Sequence, residues 1–259
     1  MGTPRSRKRK VNIKKIIIIV ALVVAVICGV LFALIKRNEA QHKKDLEQVQ
    51  EISRDFEEGT EGEYSSPINF DEIRKSNEDI VAWIEVPGTA IDYPILQSGE
   101  DDEEDFYLNH NIDGSGGYPG CIYIQKCNTA DFSDYVTVVY GHNMKDGTMF
   151  KDLHKFQDLS FYEENQEFTI YTPDATKKYR IIAATKYDDR LIPDSFNYFA
   201  ERGDAISFLA SVSEQGNTVT NHQVTGEDIY NAPGYVVLST CTSDSTVRYI
   251  VVGMEVDAE

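Results

Sequence analysis

Cysteine is scarce in this chain of 259 residues, which has four thiols, one tryptophan, four methionines and five histidines. Four cysteines are too few for a disulfide-stapled scaffold, and Cys28 lies inside a long apolar run. Cys121 and Cys127, in GCIYIQKC, would stand about 20 Å apart on one continuous strand, far beyond what a disulfide spans. They could pair only across a turn, and two unpaired thiols is the plainer reading. Cys241 has no obvious partner. Positive charge is nearly as restricted. Residues 1–37 hold nine of the 25 Lys and Arg and none of the 43 Asp and Glu, which leaves 16 basic against 43 acidic side chains, a formal −27, on the remainder. A body that acidic excludes nucleic acid as a partner, because neutralising phosphates needs clustered Lys and Arg.

The longest apolar run, IIIIVALVVAVICGVLFALI from Ile16 to Ile35, is twenty uncharged residues. As a helix it covers a hydrocarbon core of roughly 30 Å, so it is expected to be a transmembrane anchor. A cleavable signal would have a shorter apolar core and a small-residue cleavage site, whereas KRNEAQ follows here. Seven basic residues in 1–15 precede the run and few follow it, so the N-terminus is expected in the cytoplasm and the body outside. Residues 36–63 are polar, with weak helical spacing through Leu46, Val49, Ile52 and Phe56. They read as a helical stalk ending in a Gly/Glu linker.

A single domain over 64–259 is expected to follow. Phe70, Ile73, Ile80 and Val81 suggest a short helix ahead of the strand VAWIEV. Strand-like runs then recur: AIDYPIL, CIYIQ, YVTVVYG, EFTIYTP, YRIIAATKY, YVVLSTC and VRYIVVGMEV, rich in Val, Ile and Tyr and mostly bounded by turn residues. Seven or eight such strands predict an all-β barrel or sandwich. A helical insertion over Ser195 to Glu214 and a shorter helical segment after His142 interrupt the series.

The chemistry concentrates at three positions. Cys241 ends the run YVVLSTC, and Arg248 opens the next one after six residues. An antiparallel hairpin puts thiol and guanidinium on one rim of the sheet. His142 follows the strand ending at Tyr140, and it reaches the same rim if that strand runs parallel to 235–241. Each residue has a bland reading: a small buried hydrophobe, a loop histidine, a solvated arginine. Together they suit nucleophilic catalysis. A nearby cation favours the thiolate, the imidazole can protonate a departing amine, and the guanidinium can hold an oxyanion or a substrate carbonyl.

In this order and at this distance, YGHNMKDGTMF and LSTC followed by an arginine resemble the class B sortases. DIVAWIEVPGTAIDYPILQ is similar to the opening strands of that family, and the helix after YRIIAATKY matches its helical insertion, so the likeness covers about residues 65–253. The resemblance implies a closed eight-stranded sortase-type β-barrel with peripheral helices. It implies His142 as general acid and base, Cys241 as nucleophile and Arg248 as stabiliser, with Tyr140, Ser239 and Thr240 as substrate contacts. It further implies a transpeptidase that needs no cofactor. Such an enzyme cleaves a C-terminal sorting motif after its Thr and passes the surface protein to an amine of a peptidoglycan precursor or a pilin. Thr242 departs from the acidic residue that some class B members carry after the cysteine.

Other readings weaken on inspection. NHNIDG, from Asn109 to Gly114, imitates a calcium loop, yet its twelfth position is Gly120 where a bidentate Glu is required. The acidic run from Glu100 to Asp105 reads as a solvated loop, and His110, His154 and His222 lack ligand spacing, so no metal is expected. A papain-like cell-wall peptidase would place its Cys before its His and at a helix N-terminus, which is not the order here. A non-catalytic surface adhesin would make all three residues structural.

Overall fold

The computed structural model describes residues 13–54, 66–216, 218–221 and 223–256. The basic arm at 1–12, the Gly/Glu linker with Phe56, and His222 lie outside the described residues.

Helix α1 (Ile13–Ile52) carries both the apolar run and the stalk without a break. Its first half, over Ile16 to Ile35, is apolar on every face, the pattern of a helix able to cross a bilayer rather than of a surface helix with one polar side. Its second half uses Lys, Glu, Gln, Ala and Leu, all strong helix formers. One helix is thus long and apolar enough to cross a membrane, and none of its apolar window is buried against the protein. The stalk lies on the barrel, with Leu46 and Val49 buried in the main core.

Nine strands follow: β1 (Ile80–Glu85), β2 (Asp92–Gln97), β3 (Ile122–Ile124), β4 (Val136–Tyr140), β5 (Glu167–Tyr171), β6 (Thr176–Asp188), β7 (Val219–Thr220), β8 (Tyr235–Cys241) and β9 (Val247–Val256). The order β5-β1-β2-β3-β4-β8-β9-β6 closes through a β5–β6 pairing, so eight strands form a barrel and the two-residue β7 extends β6 outside it. The closed eight-stranded barrel that the family resemblance implies is present. Two pairings fix the site: β4 runs parallel to β8, with Tyr140 beside Ser239, and β8 is antiparallel to β9, with Cys241 directly opposite Arg248.

Strand alternation explains why YVVLSTC reads as an unbroken apolar run. Val236 and Leu238 face the barrel interior with Val139, Tyr249 and Val251. Tyr235 and Val237 face outward, with Val138, Ile250 and Val252, against the helical insertion. Both faces are covered, so both must be apolar.

The helical parts differ from expectation in detail. Helix α2 spans only Phe70–Ile73, while Ile80 and Val81 belong to β1. The segment after His142 is a 3-10 helix, Phe150–Gln157, followed by α3 (Leu159–Glu164). The insertion is not one helix over 195–214. It is a short α4 (Ile192–Ser195), a kink with positive φ at Asn197, Tyr198 and Phe199, and α5 (Arg202–Ser213). Left-handed backbone at three successive residues cannot sit inside a helix, and the reciprocal Glu201–Asp204 capping box starts a new one. Its buried face, Ala205, Phe208 and Val212, packs on β6, where Phe208 meets Tyr187 edge to face, in the same cluster as the outward residues of β4, β8 and β9. Helix α6 (Gly226–Asn231) precedes β8.

Candidate active site

The same alternation aims the candidate residues. Cys241 falls on the outward face with Tyr235, Val237 and Ser239, and Arg248 falls on the outward face with Ile250 and Val252. On that face the covering helices stop short of the strand ends, and a cleft of about 580 Å³ opens. Its walls include Leu108, Gln125, Leu191, Pro193 and Tyr198. His142, Cys241 and Arg248 all line it. The thiol is exposed, as a nucleophile must be, and His142 and Arg248 are half-buried.

His142 is held by a short chain of contacts. Gly141 N donates to Ser239 O at 3.1 Å, extending the β4–β8 ladder one residue past the strand, and His142 O accepts from Phe150 N at 2.9 Å. His142 Nε2 lies 2.8 Å from the Leu108 carbonyl. A carbonyl only accepts, so Nε2 carries the proton and Nδ1 of the neutral ring keeps the free lone pair of a base. The Tyr118 ring packs 5.0 Å from the imidazole. Burial raises the Tyr118 pKa, and the proximity of Cys241 adds to the rise.

Arg248 Nη1 donates to the Ser245 carbonyl of its own loop at 2.8 Å, which leaves the rest of the guanidinium beside the cleft. Thr242 N and Val247 O close this loop at 3.3 Å. Of the expected substrate contacts, half-buried Tyr140 bonds Gln125 Oε1 at 3.2 Å, and buried Ser239 borders the cleft from the outward face. Thr240 also lines the cleft, although it alternates toward the barrel interior and is buried, and its hydroxyl has no hydrogen-bond partner among the described residues.

Two residues to which the sequence reading gave no role at the site also meet at Cys241. Asn143 Nδ2 donates to the Cys241 carbonyl at 2.8 Å, and His154 Nε2 reaches the same oxygen at 3.1 Å. Gln157 Nε2 donates to His154 Nδ1 at 3.1 Å, so Nε2 is the protonated nitrogen of that ring. Burial pushes the His154 pKa down, partly opposed by the Cys241 carbonyl. The available signal was position: Asn143 follows His142, and His154 lies one face of the 3-10 helix further on.

The other thiols are of a different kind. Cys28, Cys121 and Cys127 are free. Burial pushes the Cys121 pKa up, and burial with Glu104 and Asp134 nearby raises Cys127 to about 11, so neither is a ready nucleophile. Among the described residues, no group of three His, Cys, Asp or Glu side chains could hold a metal ion.

A closed barrel that opens a strand-end thiol, its cross-strand guanidinium and a loop imidazole onto one cleft is the architecture of a cysteine acyl-transfer enzyme. Residues 84–256 match the sortase domain family. Sortase B of Listeria monocytogenes is 35% identical over 175 residues, 67% of each chain. Sortase B of B. anthracis in complex with AAEK1 superposes with TM-score 0.68 at 23% identity, covering 86% of this chain and 100% of the other. A Sortase B complexed with triglycine superposes with TM-score 0.61 at 26% identity, covering 73% and 86%. The chain belongs to the sortase family, as a class B member, and is a cysteine transpeptidase.

Proposed function

We propose that the chain cleaves a C-terminal sorting motif after its Thr and joins the released surface protein to an amine of a peptidoglycan precursor or a pilin. The Cys241 thiolate attacks the Thr carbonyl carbon, and the new C–S bond forms as the carbonyl π electrons move to oxygen. Arg248 faces that oxyanion or clamps a neighbouring carbonyl of the motif. Collapse breaks the C–N bond, and His142, whose Nδ1 has taken the proton of the Cys241 thiol, gives that proton to the leaving amine. The acceptor amine then attacks the thioester, His142 takes its proton, and the C–S bond breaks to restore the thiolate. Tyr140 and Ser239 border the motif.

The reading rests chiefly on one relationship, the Cys241–Arg248 cross-strand pair beside the parallel end of β4. The triglycine of the related complex supports a small-amine acceptor. With helix α1 as anchor, the basic arm lies in the cytoplasm and the barrel outside, where tethering concentrates enzyme around substrates at the same membrane face. Incubating the protein with a peptide library and a triglycine acceptor tests the proposal. A thioacyl adduct on Cys241 and an amine-dependent product are expected. Hydrolysis with no response to the amine would indicate a peptidase, and no adduct on Cys241 would remove it as nucleophile.

A further inference from the structure

The second half of α1 is docked along a line that begins almost at the end of the apolar run. The first contact with the barrel side is Asn38, whose Nδ2 donates to the Gly116 carbonyl at 3.4 Å. Asn38 stands three residues past Ile35, about 4.5 Å of helix rise. From there the docking continues for roughly four and a half turns. His42 is buried, Leu46 and Val49 enter the core, and Gln50 Nε2 donates to the Asp92 carbonyl at 2.5 Å. Arg54 pairs with Asp92 at 3.1 Å and Glu85 at 3.5 Å, and Asn69 N donates to Ser53 O at 2.8 Å. A helix fixed at both ends and along its length cannot swing about a single contact.

The part of the body nearest the end of the apolar run is therefore fixed as well. It is the loop at 116–119 with the neighbouring turn at 143–148, whose Met144 and Asp146 share a cavity wall with Lys36 and Pro119. Tyr118, on that loop, is 47% exposed, although its ring packs on His142. An exposed tyrosine at that height, apolar ring on one side and hydroxyl on the other, has the chemistry of residues enriched at membrane–water interfaces.

We infer that the face formed by loop 116–119 and turn 143–148 rests against the phospholipid headgroup layer, with Tyr118 in the interface, and that the docked half of α1 sets the height of the cleft above the hydrocarbon. This rests on the reading that α1 crosses the bilayer. The partner of the face is the lipid surface itself, and the His142 side of the cleft is the side closest to it. A bond to be cleaved has to be presented at that height.

Depth-dependent quenching tests the placement. The full chain is reconstituted in nanodiscs containing phosphatidylcholine with a nitroxide on its headgroup, and alkaline carbonate extraction first establishes that it is inserted. Tryptophan is introduced by Tyr118→Trp, or in a separate variant by Tyr230→Trp, a residue 61% exposed on α6 ahead of the start of β8, the barrel end away from Cys241. Buried Trp83 supplies a constant background. The emission added at 118 should fall at least about two-fold with the nitroxide, as for an interfacial aromatic, while that at 230 stays unchanged. Lys145→Trp reports from the same face and decides the matter equally if Tyr118→Trp does not fold. The double variant Leu46→Asp/Val49→Asp, which undocks the stalk, should erase the difference between the two faces. Equal quenching at both positions, or none at 118 or 145 in an inserted chain, overturns the placement. Release of the chain by carbonate overturns the membrane reading beneath it.

Discussion

Asn143 and Cys241 are joined directly, the Asn143 amide donating at 2.8 Å to the Cys241 carbonyl. Because Asn143 follows His142, this bond ties the loop that carries the imidazole to the strand end that carries the thiol. It also satisfies the Cys241 carbonyl. Asn143→Ala leaves His154 as the remaining donor, so the expected cost to stability is that of one hydrogen bond, about 0.5–1.5 kcal/mol. Loosening the His142 loop from the strand end should also lower kcat, with KM changed little. Asn143→Asp should be worse, since it aims an acceptor at an acceptor and adds negative charge beside the thiolate. Steady-state cleavage of a fluorogenic motif peptide measures both, and wild-type kcat in Asn143→Ala would free the nucleophile from this tie.

Thiol selectivity gives a second prediction. At neutral pH iodoacetamide should alkylate exposed Cys241 ahead of the others outside the membrane, because burial raises the pKa of Cys121 and Cys127. Mass spectrometry should show one rapid adduct, absent in Cys241→Ala, and that variant should fold and be inert. Arg248→Lys keeps the charge and loses the planar fork. If Arg248 holds an oxyanion or a carbonyl through that fork, the loss should approach that of Arg248→Ala, about 10²-fold. Full rescue by lysine would reduce its role to charge alone.

Much of this was legible in the sequence, for identifiable reasons. The Val, Ile and Tyr runs bounded by turn residues gave all eight barrel strands, and the hairpin and parallel pairings then forced positions 142, 241 and 248 onto one rim. The rest depended on partners distant in the chain. Leu46 and Val49 show the spacing of a polar stalk until the barrel face they cover is known. The kink at Asn197–Phe199 contains no Gly, the usual residue of left-handed backbone. His154 lacks ligand spacing along the chain and acquires a role only through the carbonyl across the fold.

His154 also makes the site sensitive to acid, and the sign follows from its burial. Its folded pKa lies below the ordinary value of 6.5, chiefly because burial penalises the charged ring, with Lys151 and Lys186 adding to the lowering. Just below pH 6.5 the unfolded chain thus binds more protons than the native one. The stabilisation is complete above that pH and is lost as pH falls through the folded value. His42 on the stalk shifts the same way, its burial outweighing the Gly120 backbone and Asp45 and Asp113 nearby. Urea midpoints should fall as pH drops below about 6.5, and His154→Asn, which retains an N–H donor, should flatten part of that slope. An unchanged slope in both His154→Asn and His42→Gln would assign the acid sensitivity to other groups.

Gly141, between Tyr140 and His142, is closely surrounded. A Cβ built there would fall 2.4 Å from Ile122 Cδ1 and 2.7 Å from the Phe150 ring, and both neighbours are buried. Phe150 N holds the His142 carbonyl, so any shift of Phe150 to make room is passed to the catalytic loop. Gly141→Ala should therefore cost about 1–3 kcal/mol of stability, as overpacking does, and should also lower activity per folded molecule. Gly203→Ala is the matched control: it lies in α5 with nothing within 4 Å of the added carbon. In a helix that change should stabilise by up to about 1 kcal/mol and leave turnover untouched. Thermal melts and kcat measured in parallel separate the two effects, because a purely global loss of stability would leave the folded Gly141→Ala fraction fully active at low temperature. Reduced turnover in that fraction is the expected result, since the glycine is what lets the backbone pass between Ile122 and Phe150 and still deliver His142 to the cleft.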